Sequence, residues 1–462
     1  PEVPTEPEVP TEPEVPTEPE VPTEPEVPTE PEVPTEPEVP SGPEVPTVPE
    51  SEQRSIPTSL VRPYLSDGPY ADALMECSFT SGPLVLSEIC SLSKLPYIGQ
   101  TTDTITVEHV MERTLVTHDW MGARLRLLLN EIPDDVLPLF APVTMLVIGS
   151  DVRPASFNAL LGRLMIDPGV LWTTLPEKKT VSQGTDFRMN FGADLQFVSL
   201  WRWMRGDEFA FPPSSLLDEG TRDFETIIPL AASVLYHELA HANDLVRPGN
   251  LERLDSEATP AMASGLFVDD RIAVSLYSES GLTSRSSVLY GLAGVRFGNM
   301  PPSDFQKSLL ADYAGSVMGN EGKQLFMSYF SIFEDVATLF EHTMMRYHFG
   351  IETLVGFMNK PEGHPEAACN DYRVAWGVRN RIASPLVAPR AKFVAESLIG
   401  ESAQLDEFFS TSIGESVPLR QGDGWCDARF QVLPEISGRI QDAAEDNRQF
   451  RFERALISLS PR

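Results

Sequence analysis

The sequence predicts an α+β protein: a small mixed sheet packed on one buried helix, a second buried helix beside it, and a largely helical C-terminal part. Three observations lead there. Residues 227–246 form an apolar stretch interrupted by His237-Glu238-Leu239-Ala240-His241. Short runs of β-forming residues precede it, at 143–148, 164–166 and 187–191. A second strongly periodic apolar stretch, 325–347, follows it and stops at Gly350, a residue type that commonly ends helices.

The chain opens on a hexapeptide array. PEVPTE occurs six times over residues 1–36, then PEVPSG, PEVPTV and Pro-Glu complete residues 1–50. Proline at every third position cannot build a core, so residues 1–55 read as a disordered stalk, extended in polyproline II at ~3.1 Å per residue. The first residue is Pro1 and no charged-plus-apolar leader is present, which suggests a processed secretory product, with a lipid anchor upstream of Pro1 as one expectation.

Net charge is -33, but fifteen glutamates lie in residues 1–50 without a lysine or arginine, which leaves -18 on the other 412 residues. A surface of that sign repels phosphates, so nucleic acid is an unsuitable partner. No run of eighteen apolar residues exists, so no membrane-spanning helix is expected. The four cysteines, Cys77, Cys90, Cys369 and Cys426, contain no C-x-x-C pair, which argues against a zinc ribbon. Their even number and the stalk favour local disulfides, Cys77 with Cys90 and Cys369 with Cys426, over four buried thiols, and place the chain outside the cytosol.

From residue 56 the composition becomes that of a globular protein, read as a helical and loop region over 56–135, a catalytic domain over 136–350 and a mainly helical region over 351–462. Residues 107–130 read as helix, with a break near Thr117. Ser303 is a good N-cap for a helix over 303–317. Helices are also expected at 372–382, 393–399 and 450–459.

The five-residue motif carries the chemistry. Composition alone yields about 0.016 matches to His-Glu-x-x-His, so coincidence is a poor explanation. Residues four apart on a helix lie one above the other, so His237 and His241 can direct two imidazoles at one metal ion. Glu238 sits too far round the helix to ligate comfortably, but well placed to take a proton from a water that the metal activates. Ala231, Ala232, Val234, Leu235, Leu239 and Ala240 make the helix apolar on nearly every side, and desolvated histidines need partners.

A catalytic zinc usually has three protein ligands. A third histidine ten places after His237 is excluded, because Arg247 stands there. Asp244 shares the face of His241, either as a ligand or, the favoured reading, as a group that orients His241. Glu334, embedded among Phe333, Val336, Ala337 and Phe340, is the preferred third ligand. Glu341, seven places on, is the runner-up or an orienting group; Asp335 and His342 share the neighbouring face. The bland alternative is a packing helix whose acids point outward.

His-Glu-Leu-Ala-His with a downstream Glu-Asp-x-Ala-x-x-Phe-Glu resembles the gluzincin zinc metallopeptidases, and Asp244 resembles the H-E-x-x-H-x-x-D form of some branches. The stretch from Asp151 to Phe157, Ile166-Asp167-Pro168 and Leu171-Trp172 are similar to the edge-strand region of secreted bacterial relatives among surface lipoproteins. The resemblance implies a zincin-like fold, zinc on His237, His241 and Glu334, Glu238 as general base, and a protein or peptide substrate. Such a substrate would add itself to a sheet edge, for which 164–166 or 187–191 are candidates. The 93 positions from His241 to Glu334 imply an insertion. A donor for the developing oxyanion is sought among Tyr329, Tyr347, His348, His364, Tyr372 and Arg373. Alternatives are a non-catalytic surface binding protein or adhesin on a zincin scaffold, and a hydrolase of cell-wall peptide cross-links.

Overall fold

The structure is a computed structural model, and it describes residues 55–78, 88–182, 188, 190–211, 220–278 and 286–429. The repeat array and the helix expected at 450–459 lie outside these residues. Among the described residues ten strands form two five-stranded sheets. The first contains β1 (Arg62–Pro63), β2 (Thr114–Val116), β3 (Met145–Ile148), β4 (Ser156–Asn158) and β5 (Arg163–Ile166), in the order β1-β2-β3-β5-β4. Strands β2, β3 and β5 are parallel, whereas β1 and β4 run antiparallel to their neighbours. All of β3 is buried, as a central parallel strand covered on both faces must be.

The second sheet is antiparallel: β6 (Phe197–Arg205), β7 (Glu208–Phe209), β8 (Glu352–Asn359), β9 (Val374–Arg379) and β10 (Val417–Pro418), in the order β10-β9-β8-β6-β7. Mixed helix and sheet is thus the observed class. Two expectations about the C-terminal part are corrected here. Residues 372–382 hold a strand, not a helix, and the region after 350 supplies three strands to this sheet. Pairing decides the matter, because the Gly377 and Trp376 backbone completes the ladder to Gly356 and Phe357. The helix expected at 393–399 lies within Ala388–Ile399.

Other boundaries move for similar reasons. The 107–130 segment divides into helices Val107–Met111 and Asp119–Glu131 around β2, three residues too short to show a period of their own. Of 187–191, the described Arg188, Asn190 and Phe191 lie in turns. Residues 164–166 do form a strand, yet β5 is paired on both sides, so β4 is the edge strand on that side of the first sheet. The 303–317 segment breaks into Asp304–Ser308, capped by Ser303, and Ala311–Gly319.

Two long helices organise the interior. The motif helix, Phe224–Leu245, contains Pro229 at its sixth position, where the missing N–H leaves only a first-turn carbonyl without its usual donor. Arg247-Pro248-Gly249 follow its end at Leu245, and Pro and Gly are residue types that do not readily continue a helix. The glutamate helix, Ile332–Phe349, begins seven residues later than the apolar periodicity suggests, and Gly350 ends it with a positive φ of 63°.

These helices pack side by side beneath the first sheet. Leu146, Ile148, Leu164 and Ile166 of the sheet share one core with Leu235, Leu239 and Ala240 of the motif helix and Val336, Leu339 and Phe340 of the glutamate helix. Each such large side chain, removed from water, contributes roughly 1.5–3 kcal/mol. A second core joins Phe197, Val355 and Phe357 of the other sheet to Leu289, Leu292 and Ala314. Both expected disulfides are present, Cys77–Cys90 and Cys369–Cys426. No helix among the described residues is long and apolar enough to cross a membrane.

Candidate metal centre

His237 and His241 stand one turn apart on the motif helix, with ring centroids 5.0 Å apart. The glutamate helix brings up the third group. Ser331 caps that helix by accepting the Glu334 backbone N–H at 3.0 Å, which sets Glu334 in the first turn. Its side chain meets both histidines. Glu334 Oε2 lies 3.4 Å from His237 Nε2, and Oε1 lies 3.7 Å from His241 Nε2. Ligands about 2.0–2.1 Å from a tetrahedral zinc are about 3.3 Å apart, so these separations suit one shared ion. His237, His241 and Glu334 are the group of metal-ligating residues found within such reach among the described residues, with ligand atoms all within 4.8 Å.

Burial makes the arrangement informative. His237, Glu238 and Glu334 have no exposure and His241 has 3%. His237 Nε2, His241 Nε2 and both Glu334 oxygens have no hydrogen-bond partner. Leaving such groups unsatisfied costs roughly 1–3 kcal/mol each, more where they are charged. One divalent cation would satisfy all three side chains at once, so the residues present fit a metal.

Glu341 completes the support. Its Oε2 sits 3.0 Å from His237 Nδ1, two helical turns from Glu334 on the same face. In the neutral ring, a proton held at Nδ1 by this carboxylate leaves the Nε2 lone pair available to an ion. This role was one of two open to Glu341 from the sequence.

The electrostatics agree with a site lacking positive charge. Burial opposes protonation of His237, yet the carboxylates of Glu334 and Glu341 on its two nitrogens hold its pKa well above the usual value. Burial and the neighbouring His237 push His241 well below it. Burial raises Glu238 to about 8; Glu334 and Glu341 add to the rise, while His237 and the Phe157 amide of β4 oppose it. Glu341 is raised too, chiefly by burial. Three buried carboxylates around two histidines suit a dication.

No family model matches the chain, and neither a curated protein nor a solved structure matches it. What the site can do follows from its own geometry.

Several sequence candidates are placed elsewhere. Asp244 does not orient His241: its Oδ1 accepts the Ala273 N–H at 2.9 Å, at the start of helix Ile272–Ser278. Tyr329 donates to Glu321 at 2.7 Å, and His348 pairs with Asp135 at 2.7 Å. His364 and Tyr372 bond each other at 2.8 Å, Tyr347 packs on Phe408, and Arg373 reaches the Gly422 carbonyl at 3.4 Å. His342 meets Gln324 at 2.8 Å and Thr353 at 3.2 Å through Nδ1 and rests against Trp203.

Asp335, beside Glu334, is an anchor that the sequence reading missed. Its carboxylate accepts a hydrogen bond from Tyr277 at 2.8 Å and is paired with Lys323 at 3.2 Å and with Arg390, all deep in the protein. Burial works against its charge, but these two cations hold its pKa below the usual value. Nothing local signals this cluster, whose members come from four separate segments.

Proposed function

We propose that this protein is an extracytoplasmic zinc metallopeptidase of the gluzincin type that hydrolyses peptide bonds. The observation that carries the reading is the convergence of His237 Nε2, His241 Nε2 and the Glu334 carboxylate in a buried site with Glu238 on the same helix. Two disulfides, the formal feature of an oxidising compartment, support the location.

His237, His241 and Glu334 would hold the zinc. When bound, zinc polarises a carbonyl and lowers the pKa of a water towards neutrality. Glu238 does the proton work: its carboxylate accepts a proton from the attacking water and returns it to the departing amine, so one group acts as base and then acid. Glu341 holds His237 in the tautomer that ligation needs. The edge that an extended peptide would join is β4, whose Phe157 amide faces Glu238. A mixed sheet ending in an antiparallel edge strand, ahead of the motif helix, supports a zincin-like arrangement.

The test is a chelator-sensitive assay of the purified protein on denatured casein, together with zinc analysis. One zinc per chain, cleavage abolished by chelator and restored by added zinc, is the expected result. A chain that binds zinc but cleaves neither casein nor a cell-wall peptide would instead be a binding protein, and a chain that binds no zinc overturns the reading.

A further inference from the structure

The ligand-bearing helices are separated by a long stretch of chain, yet their side chains must meet one ion with distances held within about 0.2 Å. Apolar packing alone is permissive about register, because one helix can shift along another while most contacts survive. Directional polar contacts remove that freedom. Within the intervening segment, helix Ile272–Ser278 makes one such contact to each ligand helix.

At its first turn, the Ala273 N–H donates to Asp244 Oδ1 at 2.9 Å. Asp244 lies three residues beyond His241 on the motif helix. At its last turn, the Tyr277 hydroxyl donates to Asp335 Oδ2 at 2.8 Å. Asp335 immediately follows Glu334. Between these ends Ile272, Ala273 and Leu276 enter the core shared by both long helices. Lys323 and Arg390 also pair with Asp335, through the same Oδ2.

We infer that helix Ile272–Ser278 is a latch that sets the spacing and register of the two ligand helices, with Asp244 and Tyr277 as positioning residues for the metal centre. The inference rests on the reading of His237, His241 and Glu334 as metal ligands. The long insertion thereby acquires a structural role, since the segment that separates the ligands in sequence also gauges the distance between them in space. Neither positioning residue belongs to the His237, His241 and Glu334 cluster.

The test compares Tyr277→Phe, Asp244→Ala and Asp244→Asn in the full chain. Zinc affinity is measured by chelator competition, and ligand geometry by the visible spectrum of the cobalt-loaded protein. Tyr277→Phe keeps the ring and loses one hydroxyl, and it should weaken zinc binding on the order of tenfold, with a changed cobalt spectrum, as should Asp244→Ala. Asp244→Asn retains an acceptor for the Ala273 N–H and should restore the parental affinity and spectrum. A Tyr277→Phe protein that binds zinc within roughly twofold of the parent, with an unchanged spectrum, overturns the latch whatever its melting temperature. Tyr277→Phe also decides the case if Asp244→Ala does not fold. Should the parent itself bind no zinc, the metal reading fails, and amide exchange over residues 332–340 then judges the latch: faster exchange in Tyr277→Phe supports it, and unchanged exchange overturns it.

Discussion

His237 is held between two glutamates of one helix: Nδ1 meets Glu341 at 3.0 Å and Nε2 faces Glu334 at 3.4 Å. The first contact fixes the ring, and the second defines where an ion would sit. Replacing Glu341 by Ala should therefore lower zinc affinity about 10–100-fold while leaving one site per chain. Glu341→Gln keeps an acceptor and should lose less. Zinc titration against a competing chelator checks both, and parental affinity in Glu341→Ala would show that the contact does not support the site.

In the proposed mechanism Glu238 moves the proton and does not ligate the metal. Glu238→Gln should retain zinc and lower peptide hydrolysis by about 10²–10⁴-fold, the range that positioned proton transfer contributes. Activity within roughly tenfold of the parent would refute the role.

For Glu334→Ala, metal content measured by atomic absorption should fall from one per chain to near zero. Substitution of the lost ligand by a neighbour is disfavoured, because Glu341 is engaged by His237 and Asp244 by Ala273. Unchanged stoichiometry would move the ligand role to one of those two acids.

Asp244 also predicts a pH dependence. Burial, the largest cause, raises its pKa from the usual 3.8 to about 6 against the opposing Ala273 amide and Arg271. Between those values the folded protein keeps a proton that the unfolded chain has released, so this group makes stability fall as pH rises from about 3.8 to about 6. Asp244→Asn lacks the effect. Its stability relative to the parent should rise across that window by on the order of 3 kcal/mol, from 1.36 kcal/mol per pKa unit, and stay level above it. Urea unfolding at pH 4, 5, 6 and 7 measures the difference; a constant difference contradicts the assignment.

Local features were legible in the chain alone. His237 and His241 share a face because a helix repeats every 3.6 residues. The all-apolar neighbourhood of the motif announced its burial, and the even cysteine count pointed to the disulfide pairs. The candidate third ligand could be read too, because Glu334 stands among apolar residues of a periodic stretch. Whatever depends on partners distant in the chain was settled by the fold. Val374–Arg379 is a strand because β8 offers it a ladder, and β2 is a strand because β3 lies beside it; three to six residues carry too little periodicity to say so. That β4 and not β5 is the edge follows from pairing order alone. The choice of Asp244 as a partner of Ala273, and of Asp335 as the anchor for Tyr277, Lys323 and Arg390, was equally invisible in the sequence. A carboxylate's spacing along its own helix says which way it points, but the group that waits there is set by the fold.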